Sequence, residues 1–77
     1  IMNIEQARAC FLTGYLVNAE VLKNPSNMAQ WFVLVQNSSG KSYMLDDEHG
    51  HTMVNSSVDQ LLFLIHEIGF RQVMVHL

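Results

Sequence analysis

The stretch "DDEHGH", residues 46–51, packs three carboxylates and two imidazoles into six positions, the densest polar set in the chain. Metal binding is one chemistry that uses such residues. His49 and His51 are two apart and would share a face on a regular strand, and Asp46 or Asp47 can add oxygen. Zinc takes about four ligands and needs them held from behind, so a further strong ligand would have to come from His66 or His76. Acid–base catalysis by Glu48 with His49 is a second chemistry. It needs buried, fixed surroundings to tune the two groups, and neighbouring residues of a turn lack them. The string also suits a polar hairpin connection, with Gly50 supplying a positive φ and the charges left in water. The turn is the preferred reading. His49 and His51 stay as metal-ligand candidates only, within a metal-assisted hydrolase that is the remotest alternative, and no cofactor is expected.

Other residues with reactive side chains fare no better. Cys10, flanked as "ARACFL", has neither a neighbouring base nor a feature that would lower its pKa, and suits a small helix residue. "SSGK" at 38–41 lacks the first glycine of a phosphate loop and leads into a strand instead of a helix. His66 falls on the polar side of its helix. No catalytic residue is assigned, and the chain is expected not to be an enzyme.

The elements that carry these residues are clearer than the chemistry. Asn3 with Gln6 three positions on predicts a capped helix over 4–13, its stripe made by Ile4, Ala7, Phe11 and Leu12, with Gly14 as the stop. Tyr15 to Lys23 alternates as a strand, with Tyr15, Val17, Ala19 and Val21 on one side and Asn18 and Glu20 on the other. "NPSN" (24–27) turns the chain into "MAQWFVLVQ" (28–36), rich in aromatic and β-branched residues. "NSSGK" (37–41) leads to the strand "SYMLD", and "TMV" after the polar connection is a short fourth strand. Ser57 and Gln60 open a helix whose Val58, Leu61, Leu62, Ile65 and Ile68 form the buried side; Gly69 ends it and Phe70 folds back on Ile65. "RQVMVHL" is a last strand. The expectation is one α+β domain over 1–77: a two-layer sandwich of two helices on an antiparallel sheet of four to five strands, ordered α-β-β-β-(β)-α-β.

Composition sharpens the question of function. Of the 77 residues 49% are apolar and 14% are charged, against about 25% charged in an average soluble protein. The excess apolar surface must be hidden in a core or against another chain. Four scattered basic residues face seven acidic ones, for a net charge of −3. Phosphate backbones are held by clustered Lys and Arg, so no direct nucleic-acid contact is expected. The single cysteine and the lack of a leader or membrane-length apolar run predict a cytoplasmic protein with no membrane contact. Ile1 ahead of Met2 reads as a residue preceding the natural start.

The alternation within "WFVLV" locates the problem. If Trp31, Val33 and Val35 meet the helices, Phe32 and Leu34 face away. Leu16 and Leu22, either Tyr43 or Met44, and Met74 are expected beside them, with His76 near Met74. The first helix can cover that second face, a partner chain can, or a ligand can lie in it. The interface candidates are Leu22, Phe32, Leu34 and Met74, with Phe63 as an outlier on the polar side of the second helix. They predict a non-enzymatic interaction module that pairs with itself or with another protein.

Two likenesses bear on this. The α-β-β-β-α order resembles double-stranded RNA-binding domains, whose second helix is basic, but "SSVDQLLFLIHEIG" has no Lys or Arg. "MNIEQARACFLTGYLVNAEV", "WFVLVQNSSGKSYML" and "SSVDQLLFLIHEIGF" together resemble small accessory proteins of bacterial plasmids and integrative elements, often labelled replication or maintenance proteins. That resemblance implies a bacterial accessory protein, or alternatively a replication or regulatory factor that reaches nucleic acid through a partner. It carries no active-site residue.

Overall fold

The computed structural model describes residues 2–77, so the expectation about Ile1 lies outside the described residues. The chain begins with the two-residue strand β1 (Met2–Asn3) and helix α1 (Ile4–Leu12). Asn3 caps the helix: its side chain accepts from the Gln6 N–H at 2.8 Å, and Gln6 Oε1 accepts from the Asn3 N–H at 3.0 Å. This closed capping box satisfies two otherwise orphaned donors. Strands β2 (Leu16–Asn24) and β3 (Asn27–Asn37) form a hairpin, and β4 (Ser42–Asp46), β5 (Val54–Asn55), helix α2 (Val58–Ile68) and β6 (Met74–Val75) follow. At α2 only half of the expected box forms. Ser57 accepts from the Gln60 N–H, while the Gln60 side chain accepts from Asn55 Nδ2.

The strands lie in the order β1-β4-β3-β2-β6, with β5 beside β3. The α+β class agrees with the sequence reading, but the sheet has six strands and is mixed. β2–β3, β3–β4 and β3–β5 are antiparallel, whereas β1–β4 and β2–β6 are parallel. The expectation of four to five antiparallel strands in the order α-β-β-β-(β)-α-β is therefore corrected. β1 was missed because two residues leave no period in a sequence. "RQVMVHL" shrinks to Met74–Val75, and its direction follows from the helix before it. A helical crossover returns the chain to the end of the sheet from which it started, which makes the flanking strands parallel.

The same topology decides where the helices sit. β1, β2, β5 and β6 all run in one direction, so β1-α1-β2 and β5-α2-β6 are both crossover units. Both step across the sheet in the same sense. Crossovers of one hand then put both helices on one face. Their contact agrees: the Phe11 and Phe70 rings meet edge to face at 4.7 Å, and Arg8 Nε donates to the Glu67 carbonyl at 3.3 Å. One core joins Ala7 of α1 and Leu61, Ile65 and Ile68 of α2 to Val21, Val33, Val35 and Leu45 of the sheet.

A bulge changes one further assignment. Leu16 pairs with Asn37 and Asn18 with Gln36, so two steps on β2 oppose one on β3 and Val17 is the extra residue. A bulge shifts the in–out alternation. Leu16, expected on the second face, is buried in the core, while Tyr15 and Val17, expected inward, are exposed. Leu12, placed on the buried stripe of α1, is 78% exposed.

Candidate functional site

The connection at 46–51 is a self-contained turn. The Asp47 N–H donates to the His51 carbonyl at 2.7 Å, and Gly50 takes φ 82°, a value glycine adopts without strain. Asp47 Oδ1 accepts from the backbone N–H groups of His49 at 2.8 Å and His51 at 3.0 Å. These bonds, that of His51 foremost, hold the Asp47 carboxyl below the usual carboxylate range. Asp47 is thereby used in shaping the loop. His49 lies 3.5 Å from Glu48 with both side chains in water, and His51 is exposed. His76, a possible third ligand, is engaged with Glu20. Among the described residues no three His, Cys, Asp or Glu side chains converge so as to hold a metal.

The uncovered face of the sheet is a different kind of surface. Leu22 pairs directly with Phe32, Phe32 with Val54, and Leu34 with Met44, while Met74 stands opposite Glu20, itself opposite Leu34. Alternation puts all these side chains on the side away from the helices. None of the six apolar residues belongs to the core described above. Leu22, Phe32 and Leu34 are half-buried by their neighbours, whereas Met44, Val54 and Met74 are exposed. Phe32, Met44 and Val54 line a shallow depression of about 350 Å³ closed on one side by Pro25. Four of the five interface candidates, Leu22, Phe32, Leu34 and Met74, thus share this face. Phe63 does not. It lies on α2, 62% exposed, beside Asp59, Gln60 and Leu64 on the helical layer.

A polar strip crosses the patch, with Glu20 between Leu34 and Met74. Glu20 is held at both carboxylate oxygens, by His76 Nε2 at 2.6 Å and by Gln36 Nε2 at 2.9 Å; the same Gln36 nitrogen reaches Ser42 Oγ at 3.1 Å. Glu20 and Gln36 were not singled out from the sequence. The outward position of Glu20 was legible, but its meeting with His76 depends on β6 running parallel to β2. A second polar cluster lies at the sheet end near Gly14 and Gly40. Tyr15 Oη and Tyr43 Oη are 2.6 Å apart, and Asn37 Nδ2 donates to Tyr15 Oη at 3.1 Å. The Tyr43 hydroxyl, then Asn37, favour the Tyr15 phenolate and lower the Tyr15 pKa, while the same bond raises that of Tyr43.

Comparison with protein-family models, curated proteins and solved structures finds no match to this chain. The site therefore has to be read from its own chemistry. Among the described residues no helix is long and apolar enough to cross a membrane.

Proposed function

We propose that the protein is a non-enzymatic interaction module whose uncovered sheet face is buried against a second copy of itself. The observation that carries this reading is the placement of both helices on one face, which leaves Leu22, Phe32, Leu34, Met44, Val54 and Met74 without a covering layer. Two such faces can stack about a twofold axis, each residue meeting the same patch on its mate, at the roughly 10 Å spacing of packed sheets. Glu20, between Leu34 and Met74 on this face, would enter the interface together with its partners Gln36 and His76. The likeness in sequence to plasmid and integrative-element proteins supports a role as a cytoplasmic accessory protein of a bacterial mobile element. The test is the mass in solution. The natural chain is expected as a dimer and Phe32→Asp as a folded monomer.

A further inference from the structure

We propose that Tyr15 and Tyr43 form an oxidative cross-linking site, at which a one-electron oxidant acting twice joins the two rings through carbons ortho to their hydroxyls. This goes beyond the dimer reading and uses the helical side of the sheet, where Tyr43 pairs with the core residue Val35. The chain has two tyrosines. They stand 28 positions apart in sequence, yet their Oη atoms are 2.6 Å apart, with ring centroids at 6.3 Å and planes at 49°. Both are held from behind. The Tyr15 N–H donates to the Cys10 carbonyl at 2.9 Å, and Tyr43 is fixed within β4. Asn37, 8% exposed, accepts at Oδ1 from the backbone N–H groups of Ser39 and Lys41, both at 2.9 Å, which leaves its Nδ2 to donate to Tyr15 Oη. Tyr15 is 44% exposed and Tyr43 half-buried, so an oxidant can reach the pair.

An electron leaves a phenolate more readily than a phenol, because the anion carries the charge that is removed. The bonds from Tyr43 and Asn37 favour the Tyr15 phenolate, while the same pairing keeps Tyr43 a phenol. Lys41 Nζ lies 5.2 Å from the Tyr43 ring centroid, and its charge opposes electron loss from that ring. Tyr15 is therefore oxidised first. Tyr43 then gives an electron to a second equivalent of oxidant and its hydroxyl proton to water. The two neutral phenoxyl radicals pair their electrons in one new carbon–carbon bond. The hydrogens on the joined carbons leave as protons while both oxygens regain protons. The net change is two electrons to the oxidant and two protons to solvent. The product keeps its hydroxyls side by side, as they already stand. It ties the residue before β2 to β4 and closes a loop across 28 positions, which removes conformations from the unfolded chain.

The experiment exposes the full chain to ruthenium(III) tris-bipyridine, generated by light with persulfate as the electron acceptor. Dityrosine fluorescence, intact mass and peptide mapping are read over a series of dilutions. The expected product is fluorescent, has the mass of one chain less two hydrogens, and yields a peptide joining positions 15 and 43. Its yield should not change on dilution. In urea that unfolds the chain, this yield should fall at least tenfold. In Tyr15→Phe and Tyr43→Phe it should vanish, leaving only double-mass product that disappears on dilution. The purified cross-linked chain should unfold at a higher temperature than the untreated chain. Fluorescence confined to double-mass product, an intrachain yield that is the same in urea, or a mass loss that consumes the Cys10 thiol in place of a tyrosine would overturn the proposal. So would a cross-linked chain that is no more stable than the untreated one.

Discussion

The two faces of the sheet use the same strands and neighbouring residues, yet end in different states. On the helical side Val21, Val33, Val35 and Leu45 are all 0% exposed. One position away, Leu22, Phe32 and Leu34 are apolar but outside the core, and Met44 and Met74 stand in water at 44% and 61% exposure. Apolar alternation on both sides of a strand specifies two layers of cover. Two crossovers of the same sense supply only one. The difference between the faces therefore arises from topology, and composition alone does not contain it.

The comparison breaks most visibly if the covered face proves replaceable. Leu61→Ala should cost about 2–5 kcal/mol, since it leaves a cavity under both layers, and the urea midpoint measures it. Should this loss be no greater than that of Leu22→Ala, the two faces would be energetically alike. Gly69→Ala should come next, at roughly 1–3 kcal/mol. Its φ is 129°, and a Cβ there would lie 2.6 Å from two Phe11 ring carbons, prising α1 from α2. Thermal unfolding checks it, and a neutral result would mean that the two helices do not need their close approach.

Smaller effects are expected at the polar ends of the sheet. Spectrophotometric titration should show the two tyrosines of the Tyr15–Tyr43 pair ionising apart, Tyr15 below and Tyr43 above the ordinary phenol value. Tyr43→Phe removes the main bond that favours the Tyr15 phenolate, so the remaining ionisation should move upward. Asp47 should have the least effect at neutral pH. Its pKa is lowered in the folded protein, so its contribution is present above the unfolded value of about 3.9 and disappears as pH falls through the folded value. Between pH 7 and pH 3 the natural chain should lose more stability than Asp47→Asn, which keeps an acceptor but no charge. Equal losses would mean that the loop bonds do not depend on ionised Asp47.

Much of this contrast was legible in the sequence. The Asn3–Gln6 box, the stripe of α2 and the outward phase of Phe32 and Leu34 all follow from local chemistry that neighbouring residues complete. What escaped depends on residues remote in the chain. The two-residue β1 and β6 take their places from tertiary pairing, and the extra residue at Val17, which turned Leu16 inward, is visible only against β3. Phe63, read from the sequence as an outlier on the polar side of the second helix, is indeed exposed on α2 and stands apart from the sheet residues. The polar loop misled in the opposite direction, because the density of reactive side chains at 46–51 says nothing of how Asp47 spends its oxygen on backbone donors.

Sedimentation equilibrium of the natural chain and of Phe32→Asp, with circular dichroism to verify folding, tests the central claim most directly. The account predicts a dimer of the 8.8 kDa chain and, for the variant, a folded monomer. A natural chain that is monomeric at every concentration, or a Phe32→Asp variant that stays dimeric, would contradict it.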